Sequence, residues 1–319
     1  MGGYTARRLL AIIPTIFLIS LFVFFIMRVM PGDVARLILS GPDSDASYTE
    51  EELQEVRDRL GLNDPLPVQY VNWLGDLVFN KGGNSLFTGE PVYEEVGRRL
   101  PLTLELTLGS VLLAHLIAIP AGVISALRRN SLVDHGVRLF AISGLAIPNF
   151  WLGIVIILLL VNWFDYSIPL GYVSPFEDPW KNFQQQIFPI LVLGTALSAS
   201  IARMTRATML ETLREDYVRT ARAKGLRGST VIMRHVLRNS ILPVMTLSAL
   251  QIGALISGTV VTERVFALPG IGRFIVDAIF QRDYIVVQTI VLFFGVVYML
   301  INLVTDLAYA LVDPRIRYK

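Results

Sequence analysis

The sequence predicts an all-α, polytopic membrane protein with six transmembrane helices, on three observations. Mean hydropathy is +0.56, and 53% of the 319 residues are hydrophobic while only 17% are charged; a soluble domain carries about a quarter charged. Six apolar runs of 22 residues or more follow one another, and a helix rising 1.5 Å per residue needs about 20 residues to cross the hydrocarbon core. The charged stretch from Glu215 to Asn239 is wedged between the fourth and fifth runs, which gives it the look of a docking surface hung between two spans.

The first run, Leu9 to Met30, follows Arg7-Arg8 and holds Pro14. That beginning is like a signal peptide, yet it leads into Met30-Pro31-Gly32-Asp33 with no small-x-small cleavage site, so it is read as an uncleaved span. A long loop, Pro31 to Pro101, comes next. There Thr49 opens a helix over Glu50-Glu51-Glu52, with Leu53, Val56 and Leu60 at helical spacing and Gly61 as a stop. Val68, Val71, Trp73 and Leu74, within Pro65 to Leu77, suggest a second, amphipathic helix near the membrane surface.

The other runs are Leu102 to Leu127, Val137 to Trp163, Ile187 to Leu210, Ser240 to Thr262 and Ile285 to Val312. Pro120, Pro148, Pro189 and Pro243 sit in or at the mouth of four of them, and proline in a bilayer helix makes a kink. Small-residue steps, Gly109 to Leu113-Ala114, Ala118 to Gly122 and Gly253-Ala254 to Ser257-Gly258, let helices approach closely. The chain divides into residues 1–101, an N-terminal transmembrane helix plus a long extracytoplasmic loop, and residues 102–319, a five-helix core with a cytosolic loop at about 211–239.

Cytoplasmic loops retain Lys and Arg. With the N-terminus inside, 17 of the 28 basic residues fall inside, nine of them between Arg203 and Arg238; of the other 11, six lie in the long outer loop, whose length exempts it from the rule. Both termini are therefore predicted cytoplasmic. Because the basic residues sort by membrane side, the net charge of +2 is a topology signal and implies no nucleic-acid partner.

Much chemistry is missing from the sequence. There is no cysteine, hence no disulfide and no thiolate metal site, and the three histidines are dispersed. No G-x-x-x-x-G-K-[ST] occurs; the one G-x-G, Gly270-Ile271-Gly272, lacks its third glycine and falls in an outer loop. No H-E-x-x-H and no G-x-S-x-G is present, so neither catalysis nor a cofactor is expected. Of the ionisable groups inside the spans, Asp306 is read as pairing with an arginine near the cytosolic end, and neutral His115 as hydrogen-bonding across helices.

What remains is the charged loop. Leu213, Tyr217 and Ala221 recur every fourth residue, Arg214, Asp216, Arg219 and Arg222 decorate the other faces, and Gly225 is a fitting stop. Ser229 is placed to cap a second short helix through Val236, and Asn239 or Ser240 to cap the fifth span. Such a basic pair of helices would contact either membrane lipid or a fitted protein partner.

These residues resemble the permease subunits of ABC importers in the dipeptide, oligopeptide and nickel group. The family's Glu-Ala-Ala, three residues, Gly pattern, followed nine residues later by Ile-x-Leu-Pro, falls on Arg219-Thr220-Ala221, Gly225 and His235-Val236-Leu237-Arg238, with Ala221, Gly225 and Leu237 matching. Pro31-Gly32-Asp33, Arg99-Leu100-Pro101, Arg203-Met204-Thr205-Arg206, Thr262-Glu263, Pro269-Gly270, Arg282-Asp283-Tyr284 and Asp313-Pro314-Arg315 are further landmarks of that group. Val34, where a proline is common, and Lys81-Gly82-Gly83-Asn84-Ser85 depart from it.

The resemblance implies a type I ABC importer permease (MetI-like) architecture in a bacterial or archaeal plasma (inner) membrane, carrying peptides or a similar small solute such as a nickel chelate. It implies as partners a homologous second permease, two cytosolic ATP-binding subunits and an extracytoplasmic solute-binding protein, with ATP hydrolysed by the partners. Tyr217 and Ala221 would enter an ATPase groove, Asp216, Arg219 and Arg222 would meet its rim, Gly225 would permit the turn, and His235 and Arg238 would complete the coupling element. Glu263, Phe266 and Asp283 would touch substrate or binding protein. The alternatives are a proton-coupled secondary transporter, which wants a midplane carboxylate set, and a non-transport membrane scaffold.

Overall fold

The computed structural model describes residues 2–29, 33–40, 48–79 and 82–312, without the side chains of 2–9, 34, 37, 40, 256–258, 306 and 308–312. Among the described residues there is no strand. The helices run in the order α1 (Gly2–Val29), α2 (Val34–Ser40), α3 (Glu50–Arg59), α4 (Leu66–Phe79), α5 (Val92–Leu127), α6 (Leu132–Ala146), α7 (Asn149–Phe164), α8 (Pro179–Thr212), α9 (Asp216–Ala223), α10 (Gly228–Thr230), a π-helical segment (Val231–Leu237), α11 (Arg238–Val265), α12 (Ile271–Gln281) and α13 (Tyr284–Val312). Pro31-Gly32, Lys81 and the C-terminal Asp313-Pro314-Arg315 motif lie outside the described residues, and Asp306 outside the described side chains.

Among the described residues four helices are long and apolar enough to cross a membrane, within α1, α5, α8 and α13, and bent pairs bring the number to as many as six. The expected third span, Val137 to Trp163, is not one rod. It is α6 and α7, bent by 101° at Ile147-Pro148. Pro148 bars the preceding residue from the helical region, and Ile147 accordingly takes φ −85°, ψ 120°. Pro14 and Pro189, by contrast, lie inside unbroken helices.

The chain forms two compact units. One comprises Gly2–Pro101 with Arg273–Met299, so the latter segment packs with the N-terminal part of the chain rather than with the helices that precede it. In it α3 begins at the expected cap, which the structure shows to be a capping box: the Glu52 N–H donates to Thr49 Oγ1 (3.2 Å) and the Thr49 N–H to Glu52 Oε2 (2.8 Å). It ends at Gly61, at φ +62°, where the Leu62 N–H reaches the Arg57 carbonyl at 2.9 Å, the closing bond of a Schellman motif. Leu53 and Val56 are buried. On α4, Trp73 packs with Val23, Phe24 and Leu292, but Val68 and Val71 are exposed, so the apolar face is narrower than the periodicity suggested.

The other unit comprises Leu102–Gly272 and the chain from Leu300 onward. A close approach joins α5 to α8: a Cβ built on Gly122 would lie 2.8 Å from the Ala202 carbonyl and 2.6 Å from Thr205 Cβ. The Ala118 to Gly122 step is therefore a helix contact, with Ala118 fully buried against Ile201 and Ala202. His115 hydrogen-bonds across helices as expected, Nε2 to Ser248 Oγ on α11 at 2.9 Å.

A candidate coupling surface between α8 and α11

The end of α8 runs into α9 through Leu213 and a short turn. α9 stops as its sequence dictates: Gly225 takes φ +77°, its N–H donates to the Arg222 carbonyl (2.9 Å), and the Leu226 N–H to the Ala221 carbonyl (3.4 Å). This is again the Schellman arrangement, and a Cβ at Gly225 would meet no atom within 4 Å, so the demand for glycine is purely conformational.

The face that α9 turns inward is not the expected one. Val218 (1% exposed) and Ala221 (7%) pack on Ala126, Met209, Val231 and Val236 of this same chain, with Leu213 at the edge. Tyr217 is 40% exposed. The four-residue spacing of Leu213, Tyr217 and Ala221 spans the turn between α8 and α9, where helical phase is lost, so it does not define one face. The expectation that Ala221 enters a partner's groove is corrected: Ala221 helps anchor α9 to its own subunit.

Asp216, Tyr217, Arg219, Arg222 and Arg238 all lie exposed. Arg219 Nη1 stands 3.2 Å from Asp216 Oδ1 with both groups in solvent, a pair of little energetic weight. Tyr217 is fixed from the far side of the loop: Asn239 Nδ2 donates to its hydroxyl at 2.8 Å and to the His235 carbonyl at 3.0 Å. His235 itself is half-buried.

Nor does a new capped helix begin at Ser229. The chain enters α10 at Gly228 and continues through the π-helical turn into α11 without a break, so neither Asn239 nor Ser240 caps the fifth span. Ser240 ties the base of the loop instead, donating to the Val236 carbonyl (2.9 Å) and contacting Thr212 Oγ1 on α8 (3.0 Å).

A buried ion pair that the sequence reading did not single out stands in the same unit. Asp134, fully buried on α6, receives Arg206 from α8, the Ser125 hydroxyl from α5 (2.6 Å) and the Asn130 N–H (2.9 Å). A lone carboxylate near the start of an apolar run was its signal. Glu105 was missed too: it accepts from the Tyr172 hydroxyl (2.7 Å) and Asn182 Nδ2 (2.8 Å), fastening the loop after α7 to α5, while burial and Glu105 push the Tyr172 phenol well above its usual range.

The three residues expected to touch substrate or binding protein are all buried, and that expectation is corrected as well. Glu263 has no exposed surface; Thr103 Oγ1 donates to it at 2.9 Å and accepts the Ile271 N–H at 3.0 Å, while Gly270 lies so close that a Cβ there would strike the carboxylate. Phe266 packs with Leu102, Leu106, Val192 and Leu268. Asp283 caps α13, accepting the Val286 N–H (3.2 Å), the Ser85 hydroxyl (2.6 Å) and the Leu86 N–H (3.0 Å). Each satisfies a buried backbone or packs a helix end, which is why its surroundings read as a landmark. Among the described residues no three His, Asp or Glu side chains gather as a metal site.

Apolar helices long enough to cross a membrane, with one braced, exposed short helix between two of them, fit a membrane permease subunit. The model of the binding-protein-dependent transport system inner membrane component matches residues 118–318, and that of its N-terminal region residues 1–107. The chain belongs to this family, the ABC importer permeases, and is a multi-pass inner-membrane protein. It is 41% identical, over the whole of both chains, to the di/tripeptide transport system permease DppB of Pseudomonas aeruginosa, to the oligopeptide transport system permease AppB of Bacillus subtilis and to the glutathione transport system permease GsiC of Escherichia coli. Its fold is similar to that of a solved inward-facing MetNI methionine ABC transporter, at a TM-score of 0.53 and 19% identity, covering 70% of this chain and 99% of that one.

Proposed function

We propose that this permease forms part of the translocation pathway for short peptides, beside a homologous second permease, with two separate ATP-binding subunits on the cytosolic side and a solute-binding protein outside. The single observation that carries the coupling part is α9: a short helix locked to its own core through Val218 and Ala221 and closed by Gly225, presenting Asp216, Tyr217, Arg219 and Arg222 to solvent, with Arg238 exposed at the start of α11. A rigid element of this kind passes on a partner's displacement instead of absorbing it. The peptide class rests on the three full-length relatives, whose solutes are di- and tripeptides, oligopeptides and glutathione.

In this reading the residues of α9, with His235 and Arg238, receive the ATP-binding subunits, residues 102–319 act as the permease core and residues 1–101 as its N-terminal helix and outer loop, with both termini cytoplasmic. The family models divide near the same place, one ending at residue 107 and the other starting at 118. The test is uptake of labelled di-, tri- and oligopeptides into vesicles bearing the assembled transporter. ATP-dependent uptake abolished by deleting this chain supports the reading; uptake driven by a proton gradient without ATP refutes it. An impermeant maleimide should label a cysteine at Asn63 from outside, and one at Arg129 only from inside.

A further inference from the structure

Toward the C-terminal end of α8 a groove of about 200 Å³ runs between that helix and α6. Its lining carries Arg138 from α6 and Arg203 and Arg206 from α8, and no acidic side chain. Arg206 is committed to Asp134, so that pair is neutral. Arg138 and Arg203 are exposed, and neither makes a hydrogen bond or an ion pair with a described residue. Two uncompensated positive charges therefore stand on the wall of one groove.

The rest of the wall is apolar and ordered by depth. α6 begins at Leu132 and α8 ends at Thr212, so at 1.5 Å per residue Arg138 lies roughly 9 Å and Arg203 roughly 13 Å in from those helix ends. Buried Ala141 and Ala202 form the floor, and Ile142 and Leu145, 63% and 47% exposed, carry the wall on along α6 away from its start. Cations near the helix ends and an apolar furrow leading inward repeat the order of a lipid, head before tail. Basic pockets between membrane helices suit anionic headgroups, long arginine side chains stretch toward the interface, and a guanidinium can take two phosphate oxygens at once. Free phosphate would leave the apolar walls uncovered, whereas both helices belong to stretches apolar enough to cross the membrane, where lipid tails are at hand.

We propose that the groove between α6 and α8 holds one anionic phospholipid from the leaflet on the α9 side, its phosphate against Arg138 and Arg203 and an acyl chain along Ala141, Ile142 and Leu145. The proposal needs only the membrane location of the chain. It does not depend on the coupling role of α9 or on the peptide reading.

The experiment uses the full chain, alone and in its assembled transporter, with Ala146→Cys carrying a bimane label just beyond Leu145; the chain has no cysteine of its own. In phosphatidylcholine nanodiscs, phosphatidylglycerol brominated on its acyl chains should quench the label saturably at a low share of the lipid. Brominated phosphatidylcholine should give only the proportional quenching of random contact, and inorganic phosphate at constant ionic strength should not compete. Arg138→Gln and Arg203→Gln should each raise the half-saturating share by about fivefold, the weight of one arginine at an anionic membrane surface.

Two further variants separate a built site from a basic surface. Arg128→Gln, exposed in the turn before α6, removes a charge from the same membrane end and should leave the half-saturating share unchanged. Ala207→Phe fills the groove from the α8 side with both cations in place and should raise it. Equal quenching by the two lipids, Arg128→Gln as damaging as Arg138→Gln, or Ala207→Phe without effect would overturn the proposal, the arginines then attracting lipid only diffusely. Competition by inorganic phosphate would overturn it as well, leaving a site for a free anion, and so would saturable quenching that vanishes in the assembled transporter, where a protein face would then cover the groove.

Discussion

Arg206 grips Asp134 through two parallel bonds, Nε to Oδ1 at 2.7 Å and Nη2 to Oδ2 at 2.9 Å, and so fastens α6 to α8. With the Ser125 hydroxyl and the Asn130 N–H, that one carboxylate gathers donors from α5, α8 and the turn leading into α6. The pair lies near the start of α6, at the end of that helix away from the bend at Ile147-Pro148.

Asp134→Ala strands the guanidinium and leaves Ser125 and Asn130 without their acceptor. The expected loss is about 3 kcal/mol, typical of breaking a buried pair from one side, seen as a lower melting temperature of the purified protein. Asp134→Leu combined with Arg206→Met removes both charges and should recover most of it. A double variant no better than the single one would show that hydrogen-bond geometry, not charge pairing, holds α6.

The two faces of α9 should answer differently to charge reversal. Ala221→Glu puts a carboxylate into the cluster of Val218, Met209 and Val236; it should cost several kcal/mol, of the order found for an unpaired buried charge, and lower the yield of folded protein. Arg219→Glu and Arg222→Glu lie in solvent and should shift stability by no more than about 0.5 kcal/mol, yet depress ATP-driven uptake. Normal uptake by both arginine variants at wild-type expression would take the exposed face out of coupling.

Gly225 tests conformation without crowding, since an added Cβ meets nothing while φ stays at +77°. Gly225→Val should cost about 1–2 kcal/mol, misdirect the chain entering α10 and reduce uptake. Gly225→Asn, whose side chain tolerates the left-handed region, should stay close to wild type. Equal uptake and equal melting temperatures for the two variants would contradict this.

Gly122 and Gly109 both face α8, but against different material. A Cβ at Gly122 meets the Ala202 backbone carbonyl; one at Gly109 meets the far end of the Ile190 side chain, which can rotate away. Gly122→Ala is expected to cost about 1–3 kcal/mol and Gly109→Ala distinctly less, measured as melting temperatures in the same detergent. The reverse order would mean that α8 shifts more easily than Ile190 repacks.

Thr103→Val deletes a donor to the buried Glu263 carboxylate and the acceptor for the Ile271 N–H. A loss of about 1–3 kcal/mol is expected, with the preference among transported peptides unchanged. A changed preference with unchanged stability would return Glu263 to the role of a substrate contact.

The sequence by itself determined the membrane class, the spans that are single rods, the Thr49 helix cap and the stops at Gly61 and Gly225, because each depends on nearby residues: about 20 apolar residues, a side chain reaching an N–H three residues on, a φ that glycine tolerates best. Its landmark motifs also carried the family. Only the tertiary structure decided which way α9 faces, since a turn between two helices resets the phase that periodicity counts, and only it buried Glu263, Phe266 and Asp283, whose partners lie as far away as Thr103, Val192 and Ser85. The same holds for Asp134 and Arg206, 72 positions apart. Which face of a helix is inside, and which polar groups meet there, is fixed by the other helices that pack against it, and no local pattern records them.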